Sequence, residues 1–130
     1  MRDDSDSIKV FIADDSPVIR ERVATMLAGR AVEIVGEAET PQASIQGILA
    51  ARPDVVILDF HLQGGTGLQV LRAVLPIDPS IRFVMFSNYT APPYRERYLG
   101  EGAHHVLDKS NDFHELANAV EKIARRSADA

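Results

Sequence analysis

"VFIADDSP", Val10 to Pro17, is the stretch on which the reading of this chain turns. An apolar run of strand length stops at two adjacent carboxylates, Asp14 and Asp15. Ser16-Pro17 follows, a pair that suits the N-cap and first position of a helix. The stretch therefore reads as strand, acidic turn, helix. Two like charges beside a buried strand end repel, by about 4 kcal/mol at 4 Å and an effective dielectric of about 20. A hard divalent cation held by oxygen ligands removes that conflict, and magnesium needs only one or two carboxylates because it keeps several waters.

The same alternation continues outward. Strand-length apolar runs cover Ile8–Ala13, Val32–Ala38, Val55–Leu58, 81–86 and 105–107. Segments of helical period lie between them. Ile19, Val23, Met26 and Leu27 fall at i, i+4, i+7 and i+8, and Ile45, Ile48 and Leu49, then Leu68, Leu71 and Leu75, then Phe113, Leu116, Ala117 and Val120 repeat that stripe. A weaker helix is predicted around Tyr94 to Leu99, with Pro92-Pro93 at its start. Five strands alternating with five helices give an α/β sheet, mostly or wholly parallel and covered on both faces. The 130 residues suit one domain, and 45% hydrophobic residues can build its core.

Composition excludes several functions. With no cysteine there is no disulfide framework, thiolate metal site or cysteine nucleophile. A formal net charge of −5 argues against nucleic-acid binding by this chain. No apolar run approaches the roughly 18 residues of a membrane span, and the acidic start "MRDDSDS" is not a signal peptide. The expectation is a cytoplasmic protein with no membrane partner, a flexible tail over residues 1–6, a domain over 7–126 and a tail over 127–130.

In open α/β sheets, ligands bind beyond the carboxyl ends of the strands. Here those ends carry Asp14-Asp15, then Asp59, then Ser87-Asn88, then Asp108-Lys109. An aspartate beside a metal can attack a phosphoryl group. Lys109 supplies positive charge for the phosphoryl oxygens and Ser87 a hydroxyl that can turn towards them. Together they describe a phosphoryl-transfer site built from positioning and electrostatics.

The motifs "IADDSP", "VVILDFHLQGGTGLQVL", "VMFSNY" and "GAHHVLDKS", in that order and each at a strand end, closely resemble the receiver domain of two-component response regulators. The resemblance runs from about Ile8 to about Ala124. It implies a flavodoxin-like, doubly wound (βα)5 parallel sheet of strand order 2-1-3-4-5. It implies Asp59 as phosphoacceptor with Lys109 and Ser87 as its catalytic partners. The implied metal ligands are Asp14, Asp15, Asp59 and the backbone carbonyl of His61, for Mg2+ or Mn2+. The implied donor is a sensor histidine kinase or a histidine phosphotransfer protein, met through the first helix near Ile19 and Arg22. A downstream protein target, of unknown identity, would read the face made by the fourth helix, fifth strand and fifth helix, with Tyr94, Arg95, Arg97 and Tyr98 exposed on it, and phosphorylation-dependent homodimerisation is a further possibility. Gly67 stands where the family has a turn glycine opening the third helix.

The sequence also departs from that pattern. Gln63 replaces a proline after the acceptor, Asn88 a very small residue, and Ser110 a cis-proline, so a trans bond is expected after Lys109. Val106 holds the switch position, where the family has an inward-turning tyrosine or phenylalanine; Tyr89, Tyr94 or Tyr98 is the expected moving surface group instead. His61, Asn88 and Tyr89 are expected to tune phosphoryl lifetime, the bulky His61 and Tyr89 slowing hydrolysis. His104 and His105 are adjacent, so they face opposite sides of a strand and do not chelate together.

Two other functions compete. An aspartate-nucleophile phosphatase of the haloacid-dehalogenase type needs a second aspartate two residues after the nucleophile, where this chain has His61. A phosphate-independent scaffold would not need the complete set of Asp14, Asp15, Asp59, Ser87 and Lys109. A module that catalyses its own phosphorylation without turning over substrate, either free-standing or part of a larger regulator, is the reading kept.

Overall fold

The computed structural model describes residues 7–129, with side chains to residue 124. The expected tail over 1–6 lies outside the described residues. Five parallel strands form the sheet: β1 (Ile8–Ala13), β2 (Val32–Ala38), β3 (Val55–Leu58), β4 (Arg82–Ser87) and β5 (His105–Asp108), in the order β2-β1-β3-β4-β5. The helices are α1 (Pro17–Leu27), α2 (Pro41–Ala51), α3 (Gly67–Val74), α4 (Pro92–Gly100) and α5 (Leu116–Asp129). This is the flavodoxin-like arrangement that the sequence implied. Helix α5 runs to Asp129, so a helix occupies 127–129, where the sequence suggested a tail.

The central strands are apolar along their whole length because they face helices on both sides, and their residues alternate between two cores. Phe11, Ala13, Val56, Leu58, Phe83, Met85 and Val106 pack under α2, α3 and α4. Val10, Ile12, Val55, Ile57, Val84, Phe86 and Leu107 pack under α1 and α5. Two helices start as the sequence indicates. Ser16 Oγ accepts from Ile19 N at 3.2 Å with Pro17 first in α1, and Thr40 Oγ1 accepts from Ala43 N at 3.1 Å with Pro41 first in α2.

Other elements also differ from the sequence reading. The fourth strand starts one residue later and ends on Ser87, which brings that hydroxyl residue into the sheet. A short antiparallel ribbon, His61–Leu62 with Gly65–Thr66, turns through Gly64 at φ 84°. Two-residue strands carry no periodicity, so only the turn was legible in "QGGTG". The last helical stripe begins as a 3-10 turn, Phe113–Glu115, before α5.

Candidate functional site

The sheet's hydrogen-bond ladder runs past the strand ends and gathers the polar residues. Asp14 N donates to Ala38 O at 3.0 Å, Asp59 N to Ala13 O at 2.9 Å and Lys109 N to Ser87 O at 3.0 Å. Asp14 and Asp59 thus sit side by side at the carboxyl edge, one residue beyond β1 and β3.

Both carboxylates are buried, and Lys109 lies between them. Its Nζ is 2.8 Å from Asp14 Oδ2 and 2.9 Å from Asp59 Oδ2. Burial alone would lower the lysine pKa, but the bonds to Asp14 and Asp59 raise it, so the ammonium stays charged. Burial pushes the Asp59 pKa up to about 6; Lys109 opposes the rise, and Asp14 and Asp15 add to it. One lysine does not balance this concentration of negative charge.

Asp15 is exposed and joins the cluster from outside. One oxygen each from Asp14, Asp15 and Asp59 lies within 4.8 Å of the others. An all-carboxylate set suits a hard cation, and the Asp59 pKa, raised first by burial and further by Asp14 and Asp15, fits a site that gathers negative charge. Asp14 Oδ1 also accepts from Ser16 N at 2.9 Å, and Arg20 donates to the Asp14 carbonyl at 2.6 Å while reaching Glu37 at 3.1 Å. Ser16, not Asp15, is the helix cap.

Lys109 keeps its place without a proline after it. The Asp108 carboxylate accepts from Ser110 N at 2.8 Å, Asn111 N at 3.0 Å and Thr90 Oγ1 at 2.7 Å. Those bonds, led by Thr90, hold its pKa below the usual carboxylate range. The described residues contain no cis peptide bond, so the bond after Lys109 is trans.

Gly67 has a packing reason. A Cβ there would collide with the Asp59 carbonyl oxygen, so the start of α3 can lie against the acceptor only with glycine. Gly67 N donates to Phe60 O at 2.7 Å, and Gln69 Oε1 accepts from Thr66 N at 2.8 Å, closing the helix start.

An open cavity of about 550 Å³ leads to the acceptor, lined by Asp15, Asp59, His61, Asn88, Tyr89 and Lys109 among others. Ile19 and Arg22 of α1 also line it, and Arg22 lies 4.2 Å from the centre of the Phe113 ring. The His61 and Tyr89 rings meet edge to face at 4.8 Å at its rim. A larger cavity of about 690 Å³, between β2 and α2, holds none of the clustered aspartates.

Ser87 is fully buried, and its Oγ accepts from Tyr89 N at 2.9 Å. Val106 is buried in the core beneath α4. Tyr98 corrects the sequence reading. It is not on the exposed face with Tyr94, Arg95 and Arg97; it is 0% exposed and its hydroxyl donates to Tyr89 O at 2.8 Å. Phe60, which the sequence did not single out, contacts the rings of His61, Tyr89, Tyr94 and Tyr98 at 4.9–6.1 Å. Its only sequence signal is an aromatic immediately after the acceptor. His104 faces inward at the opposite edge, where its Nδ1 accepts from Phe83 N at 3.0 Å. His114 is exposed.

Comparison with known proteins agrees with this geometry. The response regulator receiver domain family matches residues 10–121. The chain is 32% identical over 117 residues to the DNA-binding transcriptional activator DevR/DosR of Mycobacterium tuberculosis, covering 89% of this chain and 54% of that protein. It is 29% identical over 117 residues to the response regulator GacA of Pseudomonas syringae, covering 89% and 55%. The chain thus spans about half the length of these curated relatives. The signal receiver domain of response regulator NarL from Mycobacterium tuberculosis superposes with a TM-score of 0.86 at 32% identity, covering 92% of this chain and 98% of that one. With fold, site and sequence in agreement, the chain belongs to the response regulator receiver domain family of two-component signalling.

Proposed function

We propose that Asp59 accepts a phosphoryl group from a phosphohistidine on a sensor histidine kinase or histidine phosphotransfer protein. The observation that carries this reading is the Lys109 ammonium between Asp14 and Asp59, with Asp15 completing an all-oxygen cluster. At neutral pH Asp59, with its pKa near about 6, is mostly carboxylate and able to act as nucleophile. A carboxylate oxygen attacks phosphorus, a P–O bond forms as the donor's P–N bond breaks, and the electron pair stays on the donor's imidazole nitrogen. Lys109 neutralises charge on the transferred oxygens, and Ser87 donates its hydroxyl to one of them. Asp14, Asp15 and Asp59, with the His61 backbone carbonyl, would hold Mg2+ or Mn2+, which when bound supplies positive charge for the phosphoryl oxygens. The aromatic rim of His61 and Tyr89, with Asn88 beside it, narrows the approach of water and slows hydrolysis.

The module modifies itself and does not turn over substrate. Phosphorylation adds a dianionic group whose new bonds bias the α4-β5-α5 face between two arrangements. The reader of that face is a downstream protein, a second copy of the phosphorylated chain, or the output segment of a longer regulator. Relatives named as DNA-binding support a DNA-binding output, but this chain, at −5, is not itself the DNA-binding element. Among the described residues no helix is long and apolar enough to cross a membrane, and we assign the module to the cytoplasm.

Intact mass after incubation with a small acyl-phosphate donor and magnesium tests this reading. The expected result is a phosphoryl-sized gain that vanishes in Asp59→Asn and with a chelator. No gain from either the small donor or a phosphorylated kinase would leave the phosphate-independent scaffold.

A further inference from the structure

The family's switch position holds Val106, which has no ring to swing, while a tyrosine of α4 is buried in the same core. Tyr98 and Val106 belong to the same core cluster. Tyr98 has no exposed surface, touches the rings of Phe60 at 5.6 Å and Tyr94 at 6.4 Å, and puts its hydroxyl on the Tyr89 carbonyl at 2.8 Å. The Tyr89 backbone is also held on its N–H side by Ser87 Oγ, 2.9 Å from Tyr89 N. Burial raises the Tyr98 phenol pKa and the neighbouring Ser87 hydroxyl opposes that rise, so the phenol remains a protonated donor.

Ser87, Tyr89 and Tyr98 thus form one hydrogen-bonded line from the acceptor's hydroxyl partner to the inner face of α4. We infer that Tyr98 is the coupling residue of this receiver, carrying the movement of Ser87 through the Tyr89 backbone directly into α4; the inference rests on the proposed phosphorylation of Asp59. When the Ser87 side chain turns towards a phosphoryl oxygen, its Oγ leaves Tyr89 N. The Tyr89 backbone is then held through its carbonyl by Tyr98, and its shift is transmitted to a ring locked in the core. A packed core changes between discrete arrangements and does not deform continuously, so helix α4 moves with the ring. No aromatic on β5 is needed.

The sequence contains three tyrosines, all at this cluster, so 13C-tyrosine labelling reads it directly. Spectra are recorded with and without a small acyl-phosphate donor and magnesium, with 15N amides of α4 as the second readout and intact mass as the measure of phosphorylation. Phosphorylation of the unaltered chain is expected to move the Tyr98 ring signal and the α4 amides. Tyr98→Phe, which keeps the ring and removes the hydroxyl, should be phosphorylated to the same extent while its α4 displacement falls below about half. Ser87→Ala cuts the line at its other end, and the Tyr98 ring signal should then stay in place on phosphorylation. Full α4 displacement in phosphorylated Tyr98→Phe would overturn the coupling role and leave the Asp59 reading intact. No mass gain in the unaltered chain would remove both.

Discussion

Asp59 has two unlike flanks. On one side lie charges: Asp14, Asp15 and the Lys109 ammonium, fixed by the ends of β1 and β5 and by the Asp108 turn. On the other lie rings: Phe60, His61 and Tyr89, continued into α4 by Tyr94 and Tyr98. The charged flank is suited to chemistry, because preorganised charge acts where phosphoryl charge appears. The aromatic flank is built of rings, lies beside the hydrogen bond from Tyr89 N to Ser87 Oγ and reaches α4 through Tyr94 and Tyr98. On the proposed function, separating the two lets the acceptor be charged and discharged on one side while the consequence is read on the other.

The largest effect is expected from breaking the charged flank. Lys109→Met leaves two buried carboxylates without their cation, and removing one partner of a buried ion pair costs about 3 kcal/mol or more. Chemical denaturation should record that loss in metal-free protein, and added magnesium should recover part of it. An unchanged midpoint would mean that the lysine is not holding the acidic cluster together.

Asp59 itself gives the next effect, and its sign is fixed by its raised pKa. The folded state binds the proton more tightly than the unfolded one, so this contribution to stability is full below about pH 3.8, and it is lost as pH rises through about 6. Metal-free protein should therefore gain about 1 kcal/mol from this group between pH 7 and pH 5. His104 works in the opposite direction. Burial and Arg82 lower its pKa, so stability from His104 falls as pH drops below about 6.5. The difference between the unaltered chain and Asp59→Asn isolates the carboxylate, and parallel stability profiles would contradict its raised pKa.

Gly67→Ala sharpens the link between backbone and acceptor. A helix gains about 1 kcal/mol from alanine over glycine, but here the Cβ meets the Asp59 carbonyl and overpacking costs about 1–3 kcal/mol. A lower melting temperature with slower phosphorylation is expected; a more stable, fully active variant would show that α3 can move away freely. The smallest effect on stability belongs to the aromatic rim. Tyr89→Ala should shorten the phosphoryl lifetime by about tenfold, equivalent to about 1.4 kcal/mol in barrier, with little change in stability. Decay of the phosphorylated mass measures it.

The two flanks also differ in how far the sequence reveals them. The charged flank was legible because Asp14, Asp15, Asp59 and Lys109 each follow an apolar run, and parallel strands bring such ends to one edge. The alternation of both cores was legible for the same reason. Tyr98 was not. In "PPYRERYLG" it stands four residues after Tyr94 among charges, which reads as an exposed tyrosine pair. Its burial rests on contacts with other elements, the Phe60 ring after β3 and the Tyr89 carbonyl after β4. The role of Gly67 was visible only as a turn glycine, since the carbonyl that excludes a Cβ belongs to Asp59, eight residues earlier. Local pattern fixes where a chain turns; contacts between elements decide which side chains end inside.

The account stands most directly on the identity of the acceptor. Borohydride reduction of the phosphorylated chain converts an acyl phosphate on aspartate to homoserine, and peptide mass spectrometry locates it. The account predicts homoserine at position 59 alone, absent without the phosphoryl donor. Homoserine at position 14 or 15, or phosphate on Ser87 or a histidine with position 59 unchanged, would contradict it.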